Sequence, residues 1–191
     1  MSAPLLALAS ASPRRLALLA QIGVIPAGMP GPDVDETPWR GEKPRALAER
    51  LARAKAAAVP ADGRFVLAAD TVVAAGRRML PKTEDAAAAR SALFLLSGRR
   101  HRVITAVVLT APDGRRAERI CETVVAFARL TPEQVEAYIK SGEWRGKAGS
   151  YAIQGRAAAF VRFLSGSYSN VVGLPLFETT QLLRGFGWKL P

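Results

Sequence analysis

The chain contains one cysteine, Cys121, and one histidine, His101. A lone cysteine excludes an internal disulfide and a cysteine-rich zinc site. A lone histidine excludes a histidine cage for a metal within one chain. Any metal bound here is therefore a hard cation held by carboxylates and by substrate oxygens. There is also no apolar run long enough to cross a bilayer. An Ala-x-Ala pattern at Ala7 and Ala9 imitates a leader-cleavage site, but no basic residue precedes it and the apolar stretch before it is short. The expectation is a cytoplasmic protein with no membrane partner. Acidic residues are scarce too, 16 against 27 Lys and Arg, for a net charge of +11. That excess suits an anionic partner without choosing among a nucleic acid, a membrane surface and a phosphorylated small molecule.

At 191 residues the chain suits one domain, or two small lobes around a cleft, with room for a core. The stretch LASASPRR, residues 8–15, follows a short apolar run from Leu5 to Ala9 that reads as a buried strand. Ser12 is suited to cap a helix and Pro13 to open it, with Gly23 as its stop. Arg14 and Arg15 then lie in the first turn, where the helix dipole disfavours cations. Either an anion is bound there by the arginines, the hydroxyls and the free backbone N–H groups, or the arginines are solvated or paired with a carboxylate.

Residues 26–41 are rich in Pro and Gly and predict an irregular loop, within which Asp33, Asp35 and Glu36 gather negative charge. A second helix is expected from Pro44 to about Ala58. Lys55 follows Leu51 by four residues and shares its apolar face, so it either snorkels to solvent or reaches into a cleft. RFVLAAD, residues 64–70, reads as a buried strand ending in a carboxylate. A helix closed by Gly98, a hairpin across residues 102–130 and a capping-box helix from Thr131 follow. AAAFVRFL reads as a strand, SGSYSNVVGLP as a loop and the end of the chain as a helix. Strands alternating with helices, plus one hairpin, predict an α/β or α+β sheet with mixed strand directions.

Ligands of open α/β sheets bind beyond the carboxyl ends of strands. If the first two strands are neighbours, Asp70 faces an anion site made by Ser10, Ser12, Arg14 and Arg15. There it could hold Mg²⁺ or deprotonate a water, or it could simply end a strand. Lys82 reads as a solvated loop lysine. His101, between two arginines where a strand begins, is expected at the surface. Ser165, Ser167 and Ser169 suit either a second phosphate loop or a turn.

The segments LASASPRRLALL, DVDE, ERLARAKA, AADTVV, LPK, LSGRRHRVITAVVL, KAGSYAIQG and GSYSNVVGLPL cover most of the chain in one order. In these the chain resembles the Maf-like nucleoside triphosphate pyrophosphatases. The resemblance implies a single domain over 1–191, with a long mixed β-sheet flanked by helices and two lobes around a deep nucleotide-binding cleft. It implies hydrolysis of a nucleoside triphosphate to the monophosphate and pyrophosphate with Mg²⁺ or Mn²⁺. It makes Asp70 the proton acceptor, Ser10, Arg15, Lys55 and Lys82 phosphate ligands, and Glu36 a further acid beside Asp70 at the metal. Arg14, Thr71 and Gln154 match the positions that separate branches, and they resemble the branch acting on dTTP and UTP, which would remove excess or non-standard pyrimidine nucleotides. A homodimer is compatible with this, and no nucleic acid is expected. The rival readings are a basic nucleic-acid-binding protein and a regulator of cell division. Two departures stand out: Thr83 where a proline usually follows the lysine, and Trp144–Arg145 lengthening the approach to KAG. Neither is expected to touch a chemical group, but the second is placed to change a loop near the base pocket.

Overall fold

Four apolar residues, Leu6–Ala9, all buried, form β1 of a computed structural model that describes residues 5–190. Residues 1–4 and 191 of the single domain expected over 1–191 lie outside the described residues. The partner of β1 is β2 (Phe65–Ala75), parallel to it, with Ala9 opposite Ala68. Between them run α1 (Pro13–Gln21) and α2 (Pro44–Ala57). After β2 come β3 (Arg78–Met79), α3 (Ala86–Leu96), β4 (Arg100–Thr110), β5 (Arg116–Phe127), α4 (Pro132–Ser141), β6 (Val161–Ser165), α5 (Tyr168–Val172) and α6 (Leu176–Gly185). The strand order is β1-β2-β4-β5-β6, with β3 beside β2, and every pair after the first is antiparallel. The mixed strand directions are those the sequence pattern predicts, and the long mixed sheet is the one the family resemblance implies.

Side chains on a strand alternate between faces, and β2 uses the alternation to build two cores. Val66, Ala68 and Val72 pack with Leu47, Leu51 and Ala52 of α2 on one face. Leu67, Ala69 and Val73 pack with Leu18 and Leu19 of α1 and Leu93 of α3 on the other. Asp70 therefore belongs to the α2 face and Thr71 to the α1 face. Because α1 and α2 cover opposite faces, the chain between them must pass around the sheet. It does so along the free edge of β1, where Leu8 N–H donates to Gly28 O at 2.9 Å and Ala27 N–H to Leu6 O at 2.7 Å. The edge is thus paired by a loop, which goes on to bring Glu36 over the carboxyl end of β1.

Several local expectations are corrected. Asp70 does not end its strand: β2 continues to Ala75 because it keeps pairing with β4 as far as Ala74 opposite Arg102. Ser12 holds the N-cap position of α1, but its hydroxyl makes no cap bond; its N–H instead donates to Ser10 Oγ at 3.2 Å. The first half of AAAFVRFL is a 3-10 helix, Arg156–Phe160, and only its second half is strand. The expected loop 165–175 contains the one-turn helix α5. The capping box at Thr131 and Gln134 forms as predicted.

Candidate active site

A cavity of about 520 Å³ opens at the carboxyl end of β1. Its walls come from the turn into α1, from Glu36 and Lys55 on one side, and from residues 145–154 and 171–173 on the other. All nine site residues named from the sequence, Ser10, Arg14, Arg15, Glu36, Lys55, Asp70, Thr71, Lys82 and Gln154, line it. Six cationic side chains meet two carboxylates there, so the cavity is strongly positive.

Lys55 crosses from the apolar face of α2 to the acids. Its Nζ lies 2.5 Å from Asp70 Oδ1 and 2.6 Å from Glu36 Oε1. The Lys55 and Asp70 side chains are only 8% and 5% exposed, so this is a buried ion pair reached from a helix position that looked apolar. Lys82 reaches the same acid from the solvent side, 2.9 Å from Glu36 Oε2. Burial opposes ionisation of Glu36, but the hydrogen bonds and charges of Lys55 and Lys82 prevail and hold its carboxyl down at about 2.

Arg15 is held on the α1 face of β2. Its guanidinium donates to Gly173 O at 2.8 Å, to Ser10 Oγ at 3.0 Å and to Thr71 Oγ1 at 3.3 Å. Thr71 Oγ1 also lies 2.9 Å from Thr105 Oγ1 on the neighbouring strand, which fixes its rotamer. Every acceptor of Arg15 is neutral, although the group is buried. Burial lowers the basicity of Arg15, partly offset by the nearby charge of Asp70, and it also lowers that of Arg14. Among the described residues neither arginine forms an ion pair with a carboxylate; Arg15 is buried and Arg14 is half-buried. Gln154 is exposed on the cavity wall, and its amide has no protein partner among the described residues.

Three lining residues escaped the sequence reading. Arg145 and Lys147 add two of the six cations, and Tyr151 adds an aromatic wall. The Trp144–Arg145 departure lies at the site, as its place near the base pocket implied, but it also adds a charged group to the lining, Arg145, which stacks on the Trp144 ring at 4.8 Å. The signal available was Lys147, which opens the KAGSYAIQG stretch. Gly146 N–H donates to Thr83 O at 3.2 Å and Gly149 N–H to Leu80 O at 2.9 Å, so this segment lies alongside the one carrying Lys82. Gly149 is needed there: its φ is +72°, and a Cβ would meet Val73 Cγ1 at 2.8 Å.

His101 is not at the surface. It is buried on the sheet, Nε2 lies 2.8 Å from Tyr151 Oη, and burial pushes its pKa down to about 4. Ser167 and Ser169 serve the turn and not the cavity: Ser167 Oγ caps α5 through Asn170 N–H at 3.2 Å, and Ser169 Oγ accepts from Leu176 N–H at 3.0 Å.

As to metal, no group of three or more His, Cys, Asp or Glu side chains suited to a cation occurs among the described residues. Asp70 and Glu36 offer hard oxygens converging on one point, which suits Mg²⁺ or Mn²⁺ when phosphate oxygens and water complete the shell. The donor chemistry fits a cation that shares its ligands with a substrate.

Fold and cavity define an α/β protein with a cation-lined pocket at the carboxyl end of the first strand of a mixed sheet. The family described as Maf-like protein matches residues 5–186, and the chain belongs to that family. A protein of Granulibacter bethesdensis described as dTTP/UTP pyrophosphatase is 64% identical over 200 residues, covering 96% of this chain and 94% of its own. Proteins of Rhodospirillum rubrum and Gluconobacter oxydans with the same description are each 60% identical, covering 96% and 95% of this chain and 89% and 87% of theirs. No helix among the described residues is long and apolar enough to cross a membrane.

Proposed function

We propose that the protein hydrolyses dTTP and UTP to the nucleoside monophosphate and pyrophosphate. The observation that carries this reading is Arg15, a buried guanidinium bonded only to neutral oxygens at the wall of a cavity with six cations and two carboxylates. A polyanion supplies the charge that the chain itself withholds. The descriptions of the relatives support the same reaction. Concentration of these cations around one pocket favours a small ligand over an extended nucleic acid, whose site would be a stripe.

In this mechanism Asp70 is the proton acceptor. A water attacks the α-phosphorus, and its proton passes to the Asp70 carboxylate. The bond from phosphorus to the α–β bridging oxygen breaks as the new one forms, and pyrophosphate leaves with the electron pair. Arg15, Lys55, Lys82 and the Ser10 hydroxyl hold phosphate oxygens and oppose the charge that gathers on the leaving group. Asp70 and Glu36 are the residues that would hold Mg²⁺ or Mn²⁺, which contributes further positive charge against the phosphates.

Base choice is assigned to Gln154 with Arg14 and Thr71. Uracil and thymine present an N3–H beside carbonyl oxygens, and one amide can accept from the first and donate to the second. Cytosine reverses that pattern and would leave polar groups unpaired. Thr71 acts through Arg15, to which it is bonded. The test is pyrophosphate release from dTTP, UTP, CTP, GTP and ATP by the wild type and by Gln154→Ala. Turnover of dTTP and UTP ahead of the others, with that ranking flattened in the variant, is expected. A preference for GTP or ATP, or a variant that keeps the wild-type ranking, overturns the assignment.

A further inference from the structure

Lys55 occupies the point where a cation bridging Asp70 and Glu36 would sit. Its Nζ is 2.5 Å from one carboxylate and 2.6 Å from the other. A Mg²⁺ ligated by both would lie roughly 2.1 Å from the same oxygens, so the ammonium and the metal exclude each other there. Lys82, also bonded to Glu36, takes up more of the same negative charge. The remaining lining cations, Arg14, Arg15, Arg145 and Lys147, repel a cation that arrives alone. A triphosphate changes this balance, because its oxygens offer Lys55 and Lys82 new partners and supply the metal with ligands that two carboxylates lack.

From this arrangement we infer that the divalent cation enters the site together with the nucleotide and not before it, Lys55 keeping Asp70 and Glu36 occupied in the free protein. Resting on the proposed function, this adds a binding order and a second role for Lys55. In the free protein the lysine holds the proton acceptor in an ion pair; in the complex it is drawn to phosphate, leaving Asp70 Oδ1 available. The two acids are thus never without a cation, and metal-free water chemistry at the buried Asp70 is suppressed until substrate arrives.

The experiment is Mn²⁺ binding followed by electron paramagnetic resonance, which reads the ion directly and needs no turnover. The wild type is titrated alone and with α,β-methylene-dTTP, whose scissile position is not hydrolysed. Binding of the analogue itself is followed by calorimetry. The expected result is one Mn²⁺ bound at least tenfold more tightly in the presence of the analogue. Lys55→Met should bind Mn²⁺ without nucleotide at least tenfold more tightly than the wild type does, Lys55→Arg should not, and Lys55→Met/Asp70→Asn should lose the gain. Equal affinity in the free and analogue-bound wild type overturns the inference even if Lys55→Met fails to fold. A folded Lys55→Met protein with no gain overturns it as well. Absence of analogue binding by calorimetry instead overturns the function on which it rests, so the two failures are distinguishable.

Discussion

Lys55 and Arg15 enter one cavity from opposite faces of β2, and their surroundings are opposite in kind. Lys55, on the α2 face, meets two carboxylates. Arg15, on the α1 face, meets a serine hydroxyl, a threonine hydroxyl and a backbone carbonyl. Removing a charge from water costs several kcal/mol unless a partner compensates it. The chain compensates Lys55 internally. Arg15 is left with neutral acceptors, feeling Asp70 and Glu36 only through space. One face of the strand thus carries an acid–base pair closed on itself, and the other carries positive charge awaiting an anion. The difference follows from strand parity: Asp70 and Thr71 are adjacent in sequence and point to different faces.

The largest expected effect breaks the α2 side of the comparison. Asp70→Asn removes the proton acceptor but leaves Lys55 bonded to Glu36. Pyrophosphate release should fall by about 10²–10⁴-fold while the thermal transition stays cooperative. Near-normal turnover by the folded variant removes Asp70 from the mechanism.

Next in size is a direct contrast between the two cations. Lys55→Met leaves the buried Asp70 carboxylate without its partner and should cost about 3 kcal/mol of stability. Arg15→Met strands no opposite charge and relieves the desolvation of its own, so its stability should stay within about 1 kcal/mol of the wild type. Both should lose roughly 1.5–3 kcal/mol of transition-state binding, about 10–150-fold in kcat/KM, and equally for every accepted base. Urea unfolding at neutral pH beside steady-state kinetics measures both. Equal losses of stability would erase the distinction between the faces.

The site was legible in the sequence to the extent that local patterning fixed it. The strand–turn–helix at Ser10–Arg15 and the position of Lys55 on α2 follow from period and capping, and Asp70 follows from the β1–β2 neighbourhood. The carboxylate between Lys55 and Lys82, Glu36, came from the resemblance, because an irregular loop carries no period to place it. Lys147 and Arg145 were missed since their place depends on two backbone bonds to residues 80 and 83, a contact between distant segments. His101 was misplaced for a related reason. Of its arginine neighbours, Arg100 is exposed and Arg102 is half-buried and paired with Glu122, but Val125 opposite it and the rings of Phe127 and Tyr151 bury the histidine itself. Alternation along the strand outweighed the charge of the adjacent residues.

His101 supplies the smallest and last effect, and it sharpens the comparison. It lies on the same sheet face as Thr71, since Thr71 pairs with Thr105 and Val73 with Val103, each two residues apart from the next along β4. Like Arg15 it is buried with a neutral partner, the Tyr151 hydroxyl. Unlike a guanidinium, an imidazole can shed its charge, and burial pushes its pKa from 6.5 down to about 4. The unfolded chain therefore binds a proton between these values that the folded chain refuses. Stability is complete above pH 6.5 and falls as pH drops toward about 4, by an amount on the order of 3 kcal/mol. Glu36 acts with the opposite chemistry in a lower window: held at about 2 against an ordinary 4.5, its contribution is present above 4.5 and lost only below it. Unfolding by urea at pH 7 and pH 5 isolates the histidine. The wild type should lose stability over that interval. A His101→Phe/Tyr151→Phe protein, which removes both polar partners and keeps the rings, should lose markedly less. An unchanged pH dependence in the double variant would place the titrating group elsewhere, and the α1 face would then hold its neutral character for some reason other than the shedding of charge by His101.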